Sequence, residues 1–402
     1  MWGGRLRSRP DGEAVHRLHS PAVDFKLTDE QRDFVSAIRD FCQRECGTQE
    51  QRERLTNNHS ELHSAELYKK MADLGWLGVT IPEEYGGSAG TMLDACLFME
   101  ETARGMAPIG GYATTLIVAG ATRRFGTDEQ KQRILGGISE GSVEAIAMTE
   151  PESGSDVGSL STEAVRSNGG YVLNGQKVFI SNAHISDHVL VVCRTTKGEN
   201  KHEGLSMIFV PTGTEGMEMK PIDTMGGRET NTIYLNDCEV PSEQLLGEQD
   251  KGWIQLMAGL NTERLILAAT MLGMGQRAFD DALAYAKERK QFGRPIGSFQ
   301  VLQHRFADLA TDLEAARLMT HWVASLNDED PERMLPKEAS MVKLFVTETA
   351  QRVALEGMQM MGGYGYSSEY DMERLVRATL VSTIYGGTSE IQRGIIAKTL
   401  GL

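Results

Sequence analysis

Three observations on this chain of 402 residues predict an α+β fold in three parts. Apolar residues recur at three and four places after residue 24, which is the helical period. From about residue 140 the pattern changes to short β-branched runs. At residue 252 a 38-residue stretch without proline restores the helical period and holds it to residue 289. The expected parts are an N-terminal all-α domain over 25–139, a middle antiparallel β-domain over 140–247 and a C-terminal four-helix bundle over 248–402. Residues 1–24 are read as a disordered leader.

That leader carries Arg5, Arg7, Arg9 and Arg17 but lacks the apolar core of a secretory signal. An organelle-targeting segment is the other reading, and Asp11 and Glu13 count against it. The expected location is the cytoplasm, or the mitochondrial matrix if the leader is a targeting segment. In LTDEQRDFVSAIRDFCQREC, Thr28 and Gln31 have capping-box spacing, and Phe34, Val35, Ile38, Phe41 and Cys42 share one helical face. Further helices are expected at 64–74, with Leu67, Met71 and Leu74 on one side, then at 92–104, within 109–124 and at 128–135. Pro82 and the glycines around it mark a loop between the second and third of these.

The runs VEAIAMTEP, EAVRSNGGYVLNGQKVFISNA, HVLVVCRT, LSMIFVPT and TNTIYLNDCEV read as strands. Asn168-Gly169, Asn174-Gly175 and Asn236-Asp237 are the expected turns between them. Short strands without intervening helices suggest an antiparallel sandwich or barrel that ends near Gly247. The stretch 252–289 is then a single helix of about 57 Å, too long to stand without packing along its length. Helices over 299–326, 337–361 and from Ser389 complete a bundle of four long members.

Composition narrows the function. Forty per cent apolar and 24% charged residues describe an ordinary globular protein. A net charge of −15 repels nucleic-acid phosphates and anionic membrane surfaces. No run of about 18 apolar residues exists, so no spanning helix is expected. The odd cysteine set (Cys42, Cys46, Cys96, Cys193, Cys238) without CxxC spacing suits free or buried thiols in a reducing compartment. GxxxxGK[ST], HExxH and G-x-S-x-G are all missing, and the nine histidines are scattered, so no metal site is expected.

Seven segments remain: IPEEYGG, AMTEPESGSD, KVFISN, ERLILA, RKQFG, QMMGGYGY and IYGGTSEIQR. In this order and at these intervals they resemble the acyl-CoA dehydrogenase family over essentially the whole chain after residue 24. The resemblance implies that family's fold, FAD as cofactor, an acyl-CoA substrate, electron-transfer flavoprotein as oxidant and a homotetramer. Fatty-acid or branched-chain acyl-CoA metabolism, as in β-oxidation, is the implied setting.

Each segment also has a physical reading. AMTEPESGSD joins a strand to a loop of small and hydroxyl residues that can offer backbone N–H groups to a flavin edge or a phosphate. Without the resemblance it would be a surface turn. By the resemblance, Met148 and Thr149 meet the flavin ring, Ser155 lies where cofactor and substrate adjoin, and Phe179 and Ser181 flank the ring. Relatives often carry Trp where this chain has Phe179; an aromatic ring still stacks there. Arg289 is a fixed charge suited to a pyrophosphate, although a cation closing a helix is common in itself. Glu263 and Arg289 are 26 residues apart, about 39 Å along one helix, too far to serve one flavin together. If both are functional, Arg289 serves a neighbouring subunit's FAD and a dimer is the minimal unit. The resemblance adds Phe292, Gln300, Gln359, Gly362 and Gly363 to that site, and Thr388 and Glu390 to the cofactor's contacts.

The departure at IYGGTSEIQR is the most informative. Many relatives carry the proton-abstracting glutamate at the position of Gly386, and glycine cannot be a base. Long-chain and isovaleryl-type relatives place it on the long helix in a sequence like NTER, where Glu263 stands. A buried carboxylate is costly unless paired or functional, and burial raises its basicity. Glu263 is therefore expected to take the substrate α-proton while a hydride passes from Cβ to the flavin N5. The implied donors to the thioester oxygen are a flavin ribityl hydroxyl and the Gly386 N–H. Asn261, Arg264, Gly386, Gly387 and Ser155 are the substrate-binding candidates, and helices within 91–104 and 110–118 the expected pocket floor. Arg377-Ala378 replaces the Arg-Asp of many relatives, which suggests a lost helix-end contact. The alternatives are an acyl-CoA oxidase or monooxygenase-like flavoenzyme on the same scaffold, and a non-catalytic partner subunit.

Overall fold

Threonine side chains open the N-terminal helices. Thr28, Thr48, Thr91 and Thr127 each accept the N–H three residues on, and a Gln or Asp there accepts the N–H of the threonine in return. Each box satisfies two donors that a helix start leaves bare. The computed structural model describes residues 26–402; the leader expected over 1–24 lies outside them. The N-terminal helices are α1 (Asp29–Cys46), α2 (Gln49–Leu55), α3 (Ala65–Asp73), α4 (Met92–Arg104), α5 (Gly111–Phe125) and α6 (Asp128–Glu140).

The face expected for α1 is buried at Val35, Ile38, Phe41 and Cys42. The structure departs from the sequence at three other points in this part. Helix α2, QEQRERL, has no counterpart in the sequence reading, because only its last residue is apolar and no period shows. Leu74 is 52% exposed: it caps α3, and the chain turns away at Gly75 with φ +74°. Helix α6 runs through Gly136-Gly137 to Glu140, because Ile138 continues its buried face, and it stops only at Gly141 with φ +113°.

The strands are β1 (Glu144–Ala147), β2 (Glu163–Ser167), β3 (Gly170–Ser181), β4 (His188–Arg194), β5 (Leu205–Pro211), β6 (Met217–Pro221), β7 (Thr230–Pro241) and β8 (Leu245–Leu246). They form one eight-stranded sheet in the order β6-β7-β3-β2-β4-β5-β8, with β1 beside β4. Most neighbours are antiparallel, as expected, but β1 pairs with β4 in parallel, Glu144 opposite His188, and Glu163 of β2 meets Arg194 in parallel. The β2–β3 hairpin between them gives the long crossover that a parallel pair requires. Strand β6 escapes the sequence reading because its burial hardly alternates and it forms the sheet's exposed edge.

Of the expected turns, Asn168-Gly169 joins β2 to β3, but the other two do not turn the chain. Asn174 lies inside β3 and Asp237 inside β7, facing each other at a break in register. The Asn174 amide donates to Asp237 Oδ1 (3.1 Å), and Asp237 N–H donates to Asn174 Oδ1 (2.8 Å). Side chains that normally close a turn here satisfy backbone exposed by a bulge.

Helix α7 (Gly252–Glu288) is unbroken over 37 residues. A small hairpin, β9 (Lys290–Gln291) and β10 (Arg294–Pro295), leads to α8 (Gln300–Glu329), α9 (Pro336–Met361), α10 (Gly363–Tyr366), α11 (Met372–Leu380) and α12 (Ser389–Thr399). The fourth place in the bundle is shared by the short α11 and α12, both packed on α9. The glycine-rich runs at 362–365 and 386–387 lie at the joins from α9 to α11 and from α11 to α12. The first and last parts share one core, in which Leu265, Ala269 and Leu272 of α7 meet Cys96 and Met99 of α4 and Val346 and Ala350 of α9. At its start α7 turns Leu256 to one face of the sheet, beside Phe209 and Leu190.

Small residues set the close approaches of α7. A Cβ on Gly273 would stand 2.0 Å from the backbone carbonyl oxygen of Glu100 on α4, which cannot yield without moving that helix. Gly273→Ala is therefore expected to lower unfolding free energy by about 1–3 kcal/mol in urea denaturation. Gly120 lies on α5, where an added methyl would meet no heavy atom within 4 Å. Its change to Ala should instead gain about 0.4–1 kcal/mol.

Candidate active site

The expected site residues fall into three groups. The first gathers around Glu263, in the first third of α7. Glu263 is 6% exposed, and its Oε2 is buried with no hydrogen-bond partner. Opposite stands Gly386 (φ +60°): a Cβ built there would lie 3.9 Å from Glu263 Oε1 and 2.5 Å from Leu267 Cδ1. A side chain at 386 and the Glu263 carboxylate would thus enter the same small space. The left-handed backbone at Gly386 and Gly387 (φ +84°) also favours glycine.

The 386–387 turn is held by its carbonyls. Gln392 of α12 donates Nε2 to both Gly386 O and Gly387 O at 2.9 Å, and Lys343 of α9 donates Nζ to Gly387 O at 2.8 Å. Gln392 and Lys343 are both fully buried. With its carbonyls fixed, the turn leaves the Gly386 N–H without an acceptor among the described residues. Thr388 caps α12 by accepting Ile391 N–H (3.3 Å), and Glu390 is exposed in its first turn. Both line a groove of about 530 Å³ with Glu348, Gln351, Thr383 and Ile384. Arg264 is buried beside Glu263 and donates to Asn261 Oδ1 at 3.2 Å.

Burial dominates the electrostatics. It pushes the Glu263 carboxyl above its ordinary value, and the Arg264 and Lys343 cations oppose this only in part. Burial likewise pushes Lys343 down to about 8, against the pull of Glu263. A carboxylate so placed is a stronger base than one in water.

The second group sits on the sheet. Lys177 of β3 donates to Met148 O (3.0 Å) and to Glu150 Oε1 (2.8 Å), and Val178 N–H donates to Thr149 O (2.9 Å). The other Glu150 oxygen accepts Ser161 N–H and its hydroxyl, and Thr162 N–H reaches Oε1. The loop bearing Met148, Thr149 and exposed Ser155 is thereby tied to β3. There a register break between Lys177 and Ile180 holds Phe179 at φ +57° with 65% of its surface exposed. An aromatic residue in left-handed backbone costs about 1–3 kcal/mol, and such strain collects at functional sites. Ser181 is half-buried at the strand's end. Its neighbour Asn182 donates N–H to Glu229 O (2.8 Å), and the Glu229 charge bears on Tyr385, next to Gly386. The end of β3 and the 386–387 turn are therefore neighbours.

The third group lies at the far end of α7. Arg289 ends that helix with its guanidinium over the Tyr364 ring, 5.3 Å from the centroid. Phe292 is 94% exposed in left-handed backbone, and Gln300, Gln359, Gly362 and Gly363 are exposed as well. The continuous helix keeps this group about 39 Å from Glu263, so the structure does not bring the two together within one chain.

Sequence reasoning misses Lys343, Gln392 and the Glu150–Lys177 pair. Lys343 has a signal: a lone cation inside SMVKLFV, on a face whose neighbours Val342 and Val346 are buried. The pair has none, since Glu150 and Lys177 sit in polar surroundings and only the fold brings them together.

A flat aromatic cofactor with a pyrophosphate fits these groups. Phe179 offers a ring in strained, exposed backbone, and Arg289 a cation no carboxylate claims among the described residues. The family profiles for the acyl-CoA dehydrogenase N-terminal, middle and C-terminal domains match residues 28–142, 145–238 and 250–401. The chain is 38% identical over 384 residues to a probable acyl-CoA dehydrogenase, YngJ, of Bacillus subtilis, covering 94% of this chain and all of that one. It is 39% identical over 341 residues to caffeyl-CoA reductase-Etf complex subunit CarC of Acetobacterium woodii, covering 83% and 89%. The structure of butyryl-CoA dehydrogenase from Megasphaera elsdenii superposes with a TM-score of 0.87 at 32% identity, covering 94% of this chain and 100% of that one.

The Glu150–Lys177 pair predicts an acid-dependent stability. Burial alone would raise the Glu150 carboxyl, but the Lys177 charge and the hydroxyl and N–H donors outweigh it and hold it at about 2. A depressed carboxyl stabilises the fold above its unfolded value, about 4.3, and the contribution is lost as pH falls through the folded value. Glu150→Gln should cost about 3–5 kcal/mol at pH 7, because it leaves the Lys177 ammonium buried and unpaired. In urea titrations the gap between wild type and variant should narrow from about pH 4 downward.

Proposed function

The chain belongs to the acyl-CoA dehydrogenase family, whose members are FAD-dependent oxidoreductases acting on CH–CH bonds, and from that premise we propose what this member does. It removes the α- and β-hydrogens of an acyl-CoA thioester to give the trans-2-enoyl-CoA. It passes the electrons to electron-transfer flavoprotein and works as a cytoplasmic homotetramer. The observation that carries this reading is Glu263, buried and unpartnered across from a glycine. The three-part division at about residues 140 and 247 belongs to the same proposal.

When bound, FAD supplies the acceptor for the hydride that leaves the substrate Cβ. Met148, Thr149, Phe179 and Ser181 would hold its ring, and Ser155 would lie between it and the thioester. Thr388 and Glu390 would meet it from α12. Arg289, Phe292, Gln300, Gln359, Gly362 and Gly363 would hold the adenosine diphosphate of a neighbouring subunit's FAD. The distance along α7 supports that division, and so do large apolar groups left exposed near it, Phe292 and Tyr366 among them.

Glu263 accepts the α-proton. Its basicity comes from burial, and a general base placed this way contributes about 10²–10⁴-fold in rate. An acyl thioester is a weak carbon acid, so the developing enolate oxygen needs a donor that is fixed beforehand. The free Gly386 N–H, on a turn whose two carbonyls are fastened, is suited to that role. Asn261, Arg264 and Gly387 complete the substrate's surroundings. Glycine at 386 leaves room beside the carboxylate, which suits substrates branched near Cα or Cβ.

The same residues serve the reverse reaction, with Glu263 returning the proton to Cα. The reductase named among the relatives favours keeping this second reading. The test is anaerobic: add acyl-CoAs and enoyl-CoAs of graded length and branching, and follow flavin absorbance. Acyl-CoAs should bleach the oxidised flavin, and Glu263→Gln should slow this by about 10²–10⁴-fold with the FAD spectrum retained. Undiminished bleaching in that variant would overturn the base assignment. Bleaching should also rise with pH through a value above the ordinary carboxylate range, since the proton must leave Glu263 first. Oxidation of dithionite-reduced enzyme by enoyl-CoA together with failure of every acyl-CoA to bleach the oxidised flavin would favour the reductase.

A further inference from the structure

Lys343 is a fully buried lysine on α9, with Val342 and Val346 buried about it. No carboxylate lies within ion-pair distance of its ammonium among the described residues; its hydrogen bond goes to the Gly387 carbonyl at 2.8 Å. Its Cε is 3.8 Å from the point where a Gly386 Cβ would be, and that point is 3.9 Å from Glu263 Oε1. Burying an ammonium without a paired carboxylate is costly, and a methionine would fill the same space at less cost. The packing of α9 on α7 therefore gives no reason for a cation here.

We propose that Lys343 is a positioning residue for proton transfer at Cα. Its ammonium fixes the Gly386–Gly387 turn through the Gly387 carbonyl and holds a positive charge opposite the Glu263 carboxylate. The inference rests on Glu263 being the base. One group thereby serves both halves of the step. It steadies the turn whose N–H faces the substrate oxygen, and it favours the ionised carboxylate that receives the proton.

The charges around the pair are few. Arg264 faces Glu263 from α7 itself, and Lys343 faces it from α9; Glu348 of α9 and Glu390 of α12 face Lys343. Glu348 is engaged by Arg393 at 2.7 Å, and Glu390 is exposed on the groove. Loss of the Lys343 charge would thus leave Arg264 as the remaining cation on Glu263. Burial would then raise the carboxyl further, and less of the base would be ionised at any pH on its titration.

Two readouts on full-length holoenzyme test this. The first is the pH profile of anaerobic flavin bleaching by acyl-CoA. Lys343→Met should move the acidic limb upward by about one unit, a tenfold loss on that limb that is recovered on the plateau at higher pH. Lys343→Arg, which keeps the charge, should leave the limb in place even if the maximal rate falls. Lys343→Gln, uncharged but able to donate, carries the test if the methionine variant does not fold. The second readout needs no turnover: the infrared carboxyl band absent from Glu263→Gln should titrate about one unit higher in Lys343→Met or Lys343→Gln. An unmoved carboxyl titration, or a rate loss uniform across pH, would overturn the proposal and leave Lys343 a structural residue. If wild type bleaches with no thioester, the dehydrogenase reading fails, while the infrared titration still decides the role of Lys343.

Discussion

Glu263 is enclosed between α7, α9 and the 386–387 turn with one oxygen unpartnered, a state that costs on the order of 1–3 kcal/mol or more for a polar group. The rest of the site is arranged around that cost. Gly386 leaves the space open, Lys343 and Arg264 bring positive charge, and Gln392 holds the turn. None of these neutralises the group by direct contact. A salt-bridged glutamate would be more stable here and a weaker base.

Around that point the scaffold is stiff where chemistry requires it. Helix α7 is locked by close approaches such as Gly273 against the carbonyl of Glu100, so Glu263 cannot drift along the bundle. The sheet is fastened by Lys177 and Glu150, which together gather the middle of β3, the Met148 carbonyl and the 161–162 backbone. Strain appears at the edges of this framework, where Phe179 and Phe292 are held in left-handed backbone with their rings exposed. Phe292 follows the last turn of α7, and the sheet that carries Phe179 packs on its first turns. Helix α7 both separates these two places and fixes the distance between them.

Much of the fold is legible in the sequence because it depends on local physics. Capping boxes at Thr28 and at its counterparts, the helical period of α4 and the long proline-free run of α7 follow from short-range propensity and amphipathicity. Errors arise where tertiary contact outvotes local signals. Asn174-Gly175 and Asn236-Asp237 look like turns because those side chains close turns well, yet across two paired strands they close a bulge instead. Helix α2 lacks an apolar series but is anchored by buried Arg52, whose guanidinium bonds Cys46 O and pairs with Asp371 at the start of the distant helix α11. No window of sequence contains both partners.

At the candidate site, residue types and spacing suffice to place a carboxylate in an apolar stretch at 263 and a glycine at 386. With the rise of a helix added, they also separate 263 from 289 by more than one ligand can span. The folded chain is needed to learn that Glu263 and Gly386, 123 residues apart in sequence, face each other within one space. It is needed again to bring Lys343 from a third element beside them and to leave the carboxylate unpaired. The physical reason is that basicity depends on desolvation and on charges brought in by other helices, and neither is a property of the segment that carries the carboxylate.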